Sequence, residues 1–96
     1  MNAVAIPQTD QRTKPLRTGQ KRRLRRELLA GRPWVECHYC GEHLTEATMT
    51  LDHVNPMALG GMNALRNFVP ACKTCNLMKA NIPYPVFLRQ VMRIAA

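Results

Sequence analysis

The sequence predicts a small α+β domain held together by a metal ion rather than by a large apolar core. Three observations carry this reading. Ninety-six residues bury too little surface to be stable without a staple. Four cysteines fall as Cys37-His-Tyr-Cys40 and Cys72-Lys-Thr-Cys75, two C-x-x-C knuckles with the spacing of a tetrahedral four-cysteine zinc site. The segments between and after the knuckles switch from strand-like alternation to helical spacing.

The competing use of four cysteines is a pair of disulfides in a secreted domain, which allows three connectivities. That reading needs a secretory route. The opening MNAVAIPQTD has no apolar stretch suited to a signal peptide, and no segment approaches the length of a membrane span. A reduced, cytoplasmic setting and structural zinc on Cys37, Cys40, Cys72 and Cys75 are therefore expected. His38 and His43 are rival ligands, but four thiolates already complete the shell, and both histidines read as surface residues.

The formal net charge is +8, and it is unevenly spread. Arg12, Lys14, Arg17, Lys21, Arg22, Arg23, Arg25, Arg26 and Arg32 crowd into residues 12 to 32 with Glu27 as their one acid, whereas the rest is close to balanced. Such a segment is expected to bind a polyanion. An organellar transit peptide is also Arg-rich, but would usually be rich in serine, and this segment has none.

Residues 1 to 17, with Pro7 and Pro15 and few apolar groups, are expected to be a basic tail without fixed structure. Over residues 18 to 31, Thr18 as cap, Leu24, Leu28 and Leu29 at helical spacing, and Gly31 with Pro33 as stop predict a basic helix. The remaining residues, 32 to 96, form the expected folded body. Within it, Thr48 to Val54 alternates as a strand that Pro56 ends. Gly60-Gly61 marks a loop, and Asn67-Phe-Val-Pro70 is a second extended piece. A short helix is expected from Cys75. A last one runs from about Pro85 to Ala95, with Phe87, Leu88, Val91, Met92, Ile94 and Ala95 as its apolar face and Arg89, Gln90 and Arg93 outward.

The stretch TLDHVNP, residues 50 to 56, places an acid beside a histidine in an otherwise apolar strand. Successive strand residues point to opposite faces, so at least one of the two must turn inward, at a cost unless something binds there. Asp52, His53, Asn67 and Asn76 are the polar residues that two strands and a helix would gather around one spot. Separately, Asn67 and Asn76 suit turn or helix caps, and Arg66, Lys73 and Lys79 suit either phosphate contact or plain solvation.

Taken together, C-x-x-C, LDHVNP, GG and N-F-V-P-A-C-x-x-C-N-x-x-K resemble the HNH endonucleases, of the ββα-metal or His-Me finger fold, over about Cys37 to Lys79. The resemblance implies that His53 is the general base, that Asp52 and Asn76 hold a catalytic divalent cation, and that Asn67 orients the base. It is an H-N-N variant, because Asn76 stands where the family often has histidine. An amide oxygen and a carboxylate are hard donors, which favours Mg²⁺ or Mn²⁺ over softer metals.

The resemblance also implies DNA phosphodiester hydrolysis leaving a 5′-phosphate, by nicking or double-strand cleavage. The chemistry suits these roles, since the reaction needs a proton acceptor for water and a cation beside the leaving oxygen. Zinc would couple to the site because Cys75 directly precedes Asn76. The expected partner is double-stranded DNA, held with little sequence specificity by Arg22, Arg23, Arg25, Arg26, Arg66, Lys73 and Lys79, with a protein partner supplying specificity. Free-standing relatives of this size look like phage-encoded nucleases. The alternative is a zinc-stabilised DNA-binding module without catalysis.

Overall fold

The structure, a computed structural model, describes residues 14–95, so most of the expected tail over residues 1 to 17 lies outside the described residues. Helix α1 spans Thr18–Leu29. Thr18 is its first residue rather than its cap. The Gln20 side chain reaches back instead and accepts the Arg17 N–H at 2.8 Å, satisfying one of the donors a helix start leaves open. At the other end Ala30 (φ 52) and Gly31 (φ 80) turn left-handed. Arg32 donates to the carbonyls of Leu29 (2.7 Å) and Leu28 (3.1 Å), so its charge closes the helix C-terminus.

Two short antiparallel pairs follow. Strands β1 (Val35–Glu36) and β2 (His43–Leu44) flank the first knuckle. Their turn closes through Cys37 N–H to Glu42 O at 2.6 Å, with Gly41 at φ 80, and Trp34 stacks on His43 at 3.7 Å. Strand β3 (Thr50–His53) pairs with β4 (Phe68–Ala71), His53 opposite Phe68 and Asp52 opposite Val69. On the far side of β4, the Pro70 carbonyl accepts the His38 N–H at 2.8 Å, which docks the knuckle onto the second sheet.

Helix α2 runs Lys73–Lys79 and begins earlier than the expected start at Cys75. Its cap is Cys72, whose Sγ accepts the Cys75 N–H. Helix α3, Tyr84–Ala95, drives Phe87 into a core with Leu29, Val35, Leu44, Met49 and Ala71, and packs Leu88 and Val91 against it. Met92, expected on that apolar face, is 63% exposed. The ends of Ile94 and Ala95 lie outside the residues whose side chains are described.

Candidate active cleft and metal centre

The four thiols converge. The sulfurs of Cys37, Cys40, Cys72 and Cys75 lie within 4.8 Å of one another, and Cys40 and Cys72 are 3.9 Å apart. A tetrahedron with Zn–S bonds of about 2.3 Å has an edge of about 3.8 Å, so the cluster is compatible with a zinc shell. Backbone amides already point at it, Cys72 N–H to Cys37 Sγ and Cys75 N–H to Cys72 Sγ, each at 3.3 Å. Burial pulls the Cys37 thiol upward, but donors from Cys40, Cys72 and Tyr39 outweigh it and leave it below its ordinary value. Burial holds Cys72 and Cys75 above theirs. Four sulfurs gathered this closely could hold a metal ion such as zinc, which on binding would displace their protons.

Strand alternation separates the two residues at the heart of TLDHVNP. Asp52 turns into the interior and is 2% exposed. One carboxylate oxygen accepts the Tyr39 hydroxyl, and the other lies 3.5 Å from Lys79 Nζ. Burial first, then the bond to Asp52 and its charge, push the Tyr39 hydroxyl far above its usual range, so it stays a donor. Lys79 is 1% exposed and also donates to the His53 carbonyl at 2.8 Å. It therefore cannot be a phosphate contact, because an ammonium buried this fully is stable only when paired. Its partners lie far back in the chain, where no local pattern announces them.

His53 faces the other way, half-buried, its ring 4.5 Å from Phe68. Its Nε2 lies 2.7 Å from Asn63 Oδ1, while Asn63 Nδ2 donates to the Lys14 carbonyl. That second bond fixes which way the amide points. Oδ1 is the acceptor, so neutral His53 carries its proton on Nε2 and presents the Nδ1 lone pair.

Asn67 has no such contact with the ring. Its Oδ1 accepts the Asn55 N–H at 2.9 Å, and its Nδ2 donates to the carbonyls of Asn55 (3.0 Å) and Met62 (2.8 Å). It pins the loop that carries Asn63, so its one link to the His53 ring among these contacts runs through that loop. Gly61 lies within the same loop, where a Cβ would come 1.8 Å from the Asn55 carbonyl oxygen. Asn76 sits inside α2, not at its cap, and donates Nδ2 to Thr50 Oγ1 at 3.0 Å, which leaves its Oδ1 available.

His53 and Asn76 open into one cleft of about 340 Å³, together with Leu16, Lys21, Arg25 and Phe68. Asp52 lies behind it and Asn67 beyond its loop. Asn63 and Tyr39 were not legible as site residues: Asn63 reads as a loop amide and Tyr39 as a spacer between cysteines.

Residues 37–90 match the model of a family described as HNH endonuclease. The chain belongs to the HNH endonuclease family. The HNH segment is also similar to CRISPR-associated endonuclease Cas9 of Corynebacterium diphtheriae, 34% identical over 55 residues, and of Actinomyces naeslundii, 40% identical over 55 residues. In both cases the match covers 56% of this chain and 5% of the relative, so the chain spans about a twentieth of those proteins' length.

The HNH cleft offers a hard cation an uneven donor set. Asn76 supplies an amide oxygen at the cleft wall, while the Asp52 carboxylate is buried, is not among the lining residues, and is engaged by Tyr39 and Lys79. Both are oxygen donors of the kind Mg²⁺ or Mn²⁺ takes, but Lys79 already neutralises Asp52, so in this arrangement only Asn76 offers its oxygen to the cleft.

Proposed function

We propose that this HNH domain is a metal-dependent endonuclease that hydrolyses DNA phosphodiester bonds. The observation that carries the reading is that His53 and Asn76 line one cleft while His53 Nε2 meets Asn63 Oδ1, so that neutral His53 keeps Nδ1 as its free base. Nδ1 accepts the proton of an attacking water. Asn63 holds the tautomer by accepting the hydrogen bond from Nε2–H, and Asn67 holds Asn63 by bracing its loop. Lys79 fixes the His53 main chain from below. Asn76 would hold Mg²⁺ or Mn²⁺ at the cleft, with Asp52 completing the pair only on release from Lys79; the ion when bound would stabilise charge on the leaving oxygen. Zinc on the four cysteines is structural. The family resemblance supports cleavage to a 5′-phosphate, and Arg22, Arg23, Arg26, Arg66 and Lys73, all exposed, suit phosphate contact with double-stranded DNA. Among the described residues no element is built to read bases, so a protein partner would supply specificity, and four clustered unpaired cysteines suit a reducing, cytoplasmic setting.

A second reading is supported by Asp52, whose carboxylate is paired with Lys79 away from the cleft: a zinc-stabilised module that binds DNA without cutting it. Supercoiled plasmid incubated with protein and Mg²⁺ separates the two. The nuclease reading expects wild-type protein to nick or linearise the plasmid and His53→Ala to lose at least about a hundredfold of the rate. Plasmid bound but left intact by wild-type protein would establish the binding module.

A further inference from the structure

We infer that α1 is a wall of the cleft, and that Lys21 and Arg25 on it grip the nucleic-acid backbone beside the phosphate presented to His53. This rests on the nuclease reading and extends it to a helix that lies outside the family-matched residues 37–90. The basic residues of α1 divide into two sets. Arg23 pairs with Glu27 at 3.4 Å and Arg26 with Glu46 at 3.1 Å, and Arg22, Arg23 and Arg26 share an outer surface. Lys21 and Arg25, one turn apart, line the cleft with His53 and Asn76.

No carboxylate is among the residues lining that cleft. The Arg25 Nε is buried with no hydrogen-bond partner among the described residues, the single such side-chain nitrogen or oxygen there. A buried donor without an acceptor is costly, and two like charges one helical turn apart add to the cost. Both costs are relieved by an anion with several acceptor oxygens seated between α1 and β3. A phosphodiester supplies that, and the guanidinium fork is shaped to receive it.

Neither residue is positioned to move a proton. They act by holding the strand so that its phosphate meets Nδ1 of His53. The outer arginines remain general anchors that sit away from the reacting group.

The experiment compares Lys21→Gln/Arg25→Gln with the outer pair Arg22→Gln/Arg23→Gln, with Arg25→Lys alone as a charge-retaining control and far-UV circular dichroism of every variant as the check on folding. Binding of a labelled duplex is measured across salt in a His53→Ala background, and plasmid nicking in the wild-type background. The cleft pair should lower the slope of log affinity against log salt by about two. It should also cut kcat for nicking about tenfold or more, at least about fivefold further than the outer pair, whose loss should fall mainly on the slope. Arg25→Lys should recover most of the slope but only part of kcat. Equal kcat losses from the two pairs, or a folded cleft pair with unchanged slope and kcat, would overturn the inference. If wild-type protein does not cut at all, the nuclease reading fails by itself. The slope comparison then still decides whether the cleft pair touches phosphate, with an unchanged slope counting against it.

Discussion

Replacing Lys79 by methionine tests the charge pair beneath the cleft. Methionine keeps the length and the apolar packing of the lysine stem, so the substitution removes chiefly the ammonium. Lys79 and Asp52 have side chains 1% and 3% exposed, which leaves solvent almost no part in screening the pair. Removing one partner of a buried pair costs about 3–5 kcal/mol, because the other charge stays in the interior. The lost bond to the His53 carbonyl falls within that figure. For a domain of this size each kcal/mol moves the melting temperature by about 4–8 °C, so Lys79→Met should lower it by about 12–40 °C at saturating zinc. Adding Asp52→Asn removes the stranded charge and should return about 1–3 kcal/mol of coupling. Urea or thermal unfolding of the four proteins in the cycle measures this. A Lys79→Met protein within about 0.5 kcal/mol of wild type, or a double variant that only adds the two single losses, would show that the pair does not hold the site floor.

Zinc should govern folding of the same corner. Chelation, or Cys40→Ser, should lower bound zinc and helical signal together and abolish nicking even with Mg²⁺ present, read by zinc analysis and circular dichroism; a zinc-free protein that stays folded and cuts would contradict this. Protons compete for thiolates, and Cys72 and Cys75 hold theirs to higher pH than usual because they are buried. Zinc content at limiting metal should therefore fall as pH drops from about 7 to about 5. In the loop, Asn67→Ala removes three hydrogen bonds and should cost about 1–3 kcal/mol, while Gly61→Ala must displace the Asn55 carbonyl. Both should slow nicking more than they weaken DNA binding, whereas equal effects on the two would mean that the loop does not act through His53.

What the sequence made legible is local. The knuckles stand out because ligand spacing is written in consecutive residues, and β3 because Thr50 and its neighbours alternate before Pro56. Strands β1 and β2 escaped notice since two residues each cannot display a period. The placement of Asp52 followed from alternation only in outline. That it turns inward is a strand property, but that Tyr39 and Lys79 receive it depends on a knuckle and a helix arriving from opposite ends of the chain. Lys79 and Lys73 look alike in sequence, and only packing makes one a buried counter-charge and the other an exposed one. Asn63 and Asn67 are similarly interchangeable to the eye, although one meets the imidazole and the other the loop behind it.

The sulfur cluster closes the chain between the knuckles into a ring, with β3, β4 and the Met57–Leu59 turn inside it. Closing such a ring costs only about 0.6 kcal/mol more for each doubling of its length. Met57 and Leu59 lie exposed within it, so a lineage could graft a further segment there and lengthen the ring while the clasp and the cleft wall stay in register.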